Sequence, residues 1–203
     1  MRIISIAASW NKQFKNVCVL SSFRCGKYKE LVQTAIDLGR VLVERKIHPV
    51  YGRGHRGLSK LVSQAAYTKK SQVIRVISKA LKPLRCLSGS LIGEELDILS
   101  IQERISKMLN HVDAFIFLTR DFATLEALII FASWAHLNIH KKFIDLLNAY
   151  NFYKGLIAFL NHAIKNHFIP FIVKKFFICA PITNELLQFL QADRLEPNPG
   201  SLH

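Results

Sequence analysis

Between a short apolar run and an amphipathic stretch lies Gly52-Arg53-Gly54-His55-Arg56-Gly57, which has the spacing G-x-G-x-x-G. Glycines at such positions let a backbone approach a phosphate closely. The helix that follows offers N–H groups and a partial positive charge. The turn follows the second strand of the pattern rather than the first. No acidic residue stands where a ribose would be held, so NAD or FAD binding is disfavoured. A plain tight strand-to-helix turn is one reading, and contact with some other nucleotide is the favoured one. His136 and His140 are spaced for one helical face, but Leu137 stands where an H-E-x-x-H zinc site needs glutamate, and Asn138 ends the helix nearby. They read as ordinary surface or capping histidines. No G-x-S-x-G elbow is present, so a serine-hydrolase triad has no support.

The elements that must position these residues follow from periodicity. Val17–Leu20, His48–Tyr51, Val73–Ile77, Ala114–Leu118, Phe143–Leu147 and Phe176–Cys179 are short apolar runs and read as strands. Between them, Lys27–Glu44, Gly57–Tyr67, Ile101–Leu109, Thr124–His136, Phe152–Asn166 and Ile182–Gln191 read as helices. In the first of these, Leu31, Ala35, Leu38 and Leu42 fall on one face. The stretch after Ile77, with Pro83 and Gly89, reads as a loop. Continuous apolar strands alternating with helices predict an α/β fold: a single doubly wound, Rossmann-like parallel sheet with helices on both faces. Ligands in such sheets bind beyond the carboxyl ends of the strands. The loops after Leu20, Tyr51, Ile77 and Leu118 are therefore the places for a site. Residues 14–191 form the domain, 1–13 an N-terminal extension and 192–203 a tail.

Composition narrows the partners. The chain has 203 residues, half of them hydrophobic, enough for one domain with a real core. Its 28 Lys and Arg against 14 Asp and Glu give a formal charge of +14, but the basic residues are scattered and match no nucleic-acid-binding motif. A solvated basic surface is the reading, and no nucleic-acid partner is expected. The most apolar stretch, around Leu125 to Ala135, is too short to span a bilayer and contains Glu126, so no membrane partner is expected either. None of Cys18, Cys25, Cys86 and Cys179 forms a C-x-x-C pair, which argues against a metal or redox site. Cys18 and Cys179 lie in apolar runs and read as buried core thiols. A reducing compartment is expected, with the cytoplasm as first location and the nucleus as second.

Several segments together have a specific likeness. They are Val50-Tyr51-Gly52, Gly57-Leu58, Leu61-Val62-Ser63-Gln64-Ala65, Asp113-Ala114-Phe115-Ile116, Thr124-Leu125-Glu126, Trp134-Ala135, Ile139-His140 and Leu146-Leu147-Asn148. In order and spacing they resemble the plant LONELY GUY family, once described as lysine decarboxylase-like, from about Phe14 to about Leu190. The resemblance implies hydrolysis of the N-glycosidic bond of cytokinin riboside 5′-monophosphates, releasing the free base and ribose 5-phosphate. It also implies a homodimer and neither cofactor nor metal.

Carried over residue by residue, the family's catalytic arginine falls on Arg104, with Ile105 where a further basic residue is usual. The hallmark Pro-Gly-Gly-x-Gly-Thr-x-x-Glu falls on Thr119 to Ala127. Thr119 replaces the proline, Arg120, Asp121 and Ala123 replace the three glycines, and Thr124 is retained. Ala127 stands in place of the catalytic glutamate. Glu126 is one step away, about 100° around the helix axis. The family's Gly-Gly-Gly turn falls on Gly52-Arg53-Gly54, an acidic substrate position on Cys86, and a late threonine on Ser133. The implied substrate- and phosphate-binding residues are Gly52, Gly54, Thr124, Leu125, Glu126 and Ser133. With the carboxylate and loop glycines lost, hydrolysis is expected to be weak or absent. The alternative is a catalytically dead nucleotide-binding homologue, or a partner of an active relative.

Overall fold

The computed structural model describes residues 14–22, 30–52, 57–78, 92–118 and 121–191. Seven strands form one sheet in the order β4-β3-β2-β1-β5-β6-β7, with every neighbouring pair parallel. They are β1 (Asn16–Leu20), β2 (His48–Tyr51), β3 (Ile74–Ser78), β4 (Glu94–Ile98), β5 (Ala114–Phe117), β6 (Phe143–Leu147) and β7 (Phe177–Ala180). The helices are α1 (Glu30–Glu44), α2 (Leu58–Thr68), α3 (Ile101–His111), α4 (Phe122–His136), α5 (Lys154–Lys165) and α6 (Thr183–Gln191).

The chain winds outward from β1 through β2 and β3 to β4, then crosses back to lay β5 on the other side of β1. Side chains alternate across each strand, so the sheet has two apolar faces. On one, Val17 and Val19 of β1 meet Leu38 and Leu42 of α1, Val62 of α2 and Leu186 of α6. On the other, Cys18 and Leu20 meet Met108 of α3 and Leu128 and Phe131 of α4. Gly39 lets α1 lie against α2, because a Cβ there would overlap Val62 O and come within 2.8 Å of Ala65 Cβ. The start of β1 is tied to the start of β5 by Asp113, whose Oδ2 accepts from the N–H groups of Lys15 (2.9 Å) and Asn16 (3.1 Å).

Three expectations are corrected. The sheet has seven strands rather than six, because β4 was not recognised. Its sequence, Glu-Glu-Leu-Asp-Ile, lacks the apolar run of a buried strand. It lies at the sheet edge, where much of it is solvated, and Gly93 before it turns at φ +81°. Cys179 is exposed rather than buried, because β7 is the opposite edge and its burial alternates. His140 is buried rather than a surface residue. Its Nε2 donates to Phe131 O (2.9 Å), and its Nδ1 accepts from Lys142 N–H (3.0 Å). That places its single proton on Nε2, and burial holds its pKa below the ordinary range. His136 is exposed, as expected.

Candidate functional site

The winding reverses between β1 and β5, and that is where a doubly wound sheet opens a crevice at its carboxyl edge. Ser21, directly after the apolar run of β1, lies at its floor. The Ser21 hydroxyl lies 2.7 Å from the Ser59 hydroxyl and accepts from Ser59 N–H at 2.8 Å, which holds the first turn of α2 against the end of β1. From the other side, Thr124 Oγ1 lies 3.1 Å from Ser21 O, which holds the first turn of α4 to the same point. The first turns of the helices that follow β2 and β5 therefore converge on Ser21.

Arg104 enters the crevice from α3. Ser100 caps that helix, its Oγ accepting from Glu103 N–H at 3.0 Å, while Glu103 reaches back to Leu99 N–H at 2.7 Å. This reciprocal cap fixes the first turn and aims the next residue, Arg104, inward. Arg104 is 5% exposed, and its Nη1 donates to Gly52 O at 3.3 Å. Its neighbour Ile105 is buried in the core between α3 and α4. Burial pushes the Cys18 thiol well above its ordinary pKa, and the Arg104 guanidinium opposes that rise. Cys18 is an inert core thiol.

The crevice ends in a cavity of about 20 Å³, room for about one water. Its polar lining comes from Ser21, Ser59, Arg104 and Thr124, and Gly52, Ala123 and Ala127 complete that wall. Five of the residues singled out in the sequence, Gly52, Arg104, Ala123, Thr124 and Ala127, thus meet in one cavity. Leu125 packs on the core instead, Glu126 points to solvent, and neither lines the cavity. Ser133 is exposed roughly 13 Å further along α4. Gly54, Cys86, Thr119 and Arg120 lie outside the described residues. Ser21 and Ser59 were not singled out in the sequence, although the loop after Leu20 was.

Gly52 has a reason to be glycine other than phosphate. A Cβ there would overlap the end of the buried Met108 side chain, so the residue lets α3 close on β2. Asp121 is the N-cap of α4: its Oδ1 accepts from Thr124 N–H at 2.9 Å and lies 2.8 Å from Thr124 Oγ1. The one proton of that hydroxyl is shared between Asp121 and Ser21 O. Among the described residues that line the cavity, none carries a carboxylate. Glu95 instead pairs with the buried Arg75 on β3 at 3.1 Å, and Glu94 is exposed. Among the described residues, no group of three or more His, Cys, Asp or Glu residues is placed to hold a metal ion. Among them, too, no helix is long and apolar enough to cross a membrane.

Fold and crevice together define a parallel, doubly wound α/β protein with a polar crevice at its switch point. Solved structures show the same fold. The protein TM1055 aligns with a TM-score of 0.65 at 17% identity, over 88% of this chain and 99% of that one. A molybdenum cofactor binding protein from Rippkaea orientalis aligns with a TM-score of 0.63 at 14% identity, over 88% and 96%. The family model described as "Possible lysine decarboxylase" matches residues 59–190. A probable cytokinin riboside 5′-monophosphate phosphoribohydrolase of Oryza sativa subsp. japonica is 37% identical over 190 residues, which cover 94% of this chain and 76% of that protein. A cytokinin riboside 5′-monophosphate phosphoribohydrolase of Arabidopsis thaliana is 38% identical over 185 residues, covering 91% and 84%. The chain belongs to this LONELY GUY family.

Proposed function

We propose that this chain keeps the substrate-site framework of a cytokinin riboside 5′-monophosphate phosphoribohydrolase but hydrolyses such nucleotides weakly or not at all. The observation that carries this is Ala127, which lines the cavity beside Arg104 at the position of the family's glutamate. Cleaving the bond between the ribose carbon and the base nitrogen builds positive charge on the sugar. A carboxylate stabilises that charge, and an acid or base moves the protons to water and leaving base. A positioned acid or base contributes about 10²–10⁴ in rate. Arg104 can orient or polarise a substrate, but a permanently protonated guanidinium cannot take a proton from water. Glu126, pointing to solvent, is no substitute.

The test is incubation of the purified chain with a cytokinin riboside 5′-monophosphate, scored for ribose 5-phosphate. Little or no release is expected, and turnover typical of enzymes would reject the reading.

A second reading, a non-catalytic partner of itself or of an active relative, draws on the outer side of α4. There Phe122 is 92% exposed and Ile129 50% exposed on a helix that is apolar on nearly every side. Such a helix suits burial between chains. A homodimer is proposed, in the cytoplasm first and the nucleus second. Light scattering that gave a monomer at micromolar concentration would reject the dimer.

A further inference from the structure

Two helices end alike on one edge of the sheet. Both α4 and α5 close with a residue in the left-handed region, Asn138 at φ +57° and His167 at φ +61°. In each the next residue bonds back to the last turn: Ile139 N–H donates to Trp134 O at 2.9 Å, and Phe168 N–H to Ala163 O at 2.9 Å. In this C-terminal motif the residue so bonded is commonly apolar and packs on its own helix. Here both face solvent, Ile139 58% exposed and Phe168 83% exposed. Their neighbours Leu137 and Phe171 are each 64% exposed. Strands β6 and β7 pair in parallel, so the loops that lead into them lie side by side, and the turn at Phe171–Phe176 packs against both α4 and α5. The four apolar side chains therefore share the amino-terminal edge of the sheet, opposite the crevice.

Charge on this stretch has one sign. Between Glu126 and Glu185 the only carboxylate is Asp145, fully buried in β6, against six lysines. Lys141, Lys165 and Lys174 are exposed in and around the same two loops. Asp113, on the same edge before β5, is engaged by the N–H groups of Lys15 and Asn16.

We propose that this edge is a peripheral docking surface for a bilayer rich in anionic phospholipid. Apolar side chains that project from loop tips suit insertion at the boundary of headgroups and acyl chains, and lysines around them suit the lipid phosphates. The apolar run from Leu125 to Ala135 is too short to cross a bilayer, and a surface contact requires no crossing. A second copy docked by the same edge would set lysines against lysines. A nucleic acid would match the lysines but leave the aliphatic Leu137 and Ile139 without a partner. Docking by the amino-terminal edge turns the crevice away from the lipid and leaves it open to soluble ligands.

The test is co-sedimentation of the full chain with vesicles of phosphatidylcholine alone and of an equal mixture of phosphatidylcholine and phosphatidylserine. The unmodified chain should pellet with the mixed vesicles and not with phosphatidylcholine alone, and added salt should release it. Lys141→Gln, Lys165→Gln and Lys174→Gln combined should weaken binding roughly 10- to 100-fold. Ile139→Ser with Phe168→Ser should weaken it about 10-fold or more, at an unchanged melting temperature because both side chains are exposed. No pelleting with the mixed vesicles overturns the proposal, as does binding that neither variant weakens. Binding to an oligonucleotide in place of vesicles assigns the edge to another partner and overturns it too. So does a dimer, in place of vesicle binding, that Ile139→Ser with Phe168→Ser abolishes. The readout needs no turnover, so its result stands apart from the catalytic reading.

Discussion

Replacing Ala127 by glutamate tests the catalytic reading most directly, and the structure says the single change should disappoint. Ala127 is 3% exposed and faces a cavity of about 20 Å³. Glutamate adds a methylene and a carboxylate, more than a space for one water accepts. Overpacking of this kind costs about 1–3 kcal/mol. Burying a carboxylate adds a desolvation cost, which Arg104 in the same cavity offsets in part. Ala127→Glu should therefore lower urea stability by about 1–3 kcal/mol and release little ribose 5-phosphate, because Asp121 still occupies the end of α4. The combined change Thr119→Pro, Arg120→Gly, Asp121→Gly, Ala123→Gly and Ala127→Glu rebuilds loop and carboxylate together. It should exceed the sum of the separate gains, since residues acting as one unit do not contribute additively. Ribose 5-phosphate release at saturating substrate, beside a urea titration of each variant, reads both effects. Turnover of roughly 1 s⁻¹ or more by the unmodified chain would refute the reasoning, and so would full recovery by Ala127→Glu alone.

Other outcomes follow from packing and titration. Gly39→Ala should cost more stability than Gly52→Ala. The first overlaps the Val62 carbonyl, which cannot move alone, and the second meets the far end of the unbranched Met108 side chain, which can change rotamer. In a double-mutant cycle, Gly52→Ala and Met108→Ala should couple by about 0.5 kcal/mol or more, and additivity would remove the packing explanation for Gly52. His140 has a folded pKa below its ordinary value of 6.5. The unfolded chain therefore takes up a proton that the folded one resists. Stability should be full above about pH 6.5 and fall as pH drops through that value toward the lower folded one. His140→Gln should flatten this part of a melting-temperature profile between pH 7.5 and 5.5, and an unchanged slope would exclude His140 as its source. Asp113→Ala leaves the Lys15 and Asn16 N–H groups without their acceptor and should cost about 1–3 kcal/mol in urea.

By itself, the sequence determined the alternation of apolar strands and amphipathic helices, and with it the parallel doubly wound class. Burial on both faces writes a continuous apolar run into each inner strand. It also determined the family, and the resemblance to that family is what the proposed correspondence of Ala127 with the family's glutamate rests on. Only the tertiary structure decided which of these residues meet. Arg104 of α3, Gly52 after β2 and Thr124 and Ala127 of α4 are distant in the chain. They share a cavity because the sheet places β2 on one side of β1 and β5 on the other. Periodicity reports that a residue faces inward, not which element it faces. Hence Leu125 and Glu126, adjacent to Thr124 in sequence, turn away around the helix. Strand β4 was illegible because an edge strand exposed to water need not be apolar, and Cys179 faces outward because β7 lies at the opposite edge. His140 is sealed in by bonds to Phe131 and Lys142 that no spacing rule anticipates. Asp121 appeared in the sequence as a lost glycine. The fold made it the cap of α4, because a short carboxylate just ahead of a helix lies within reach of the N–H three residues on.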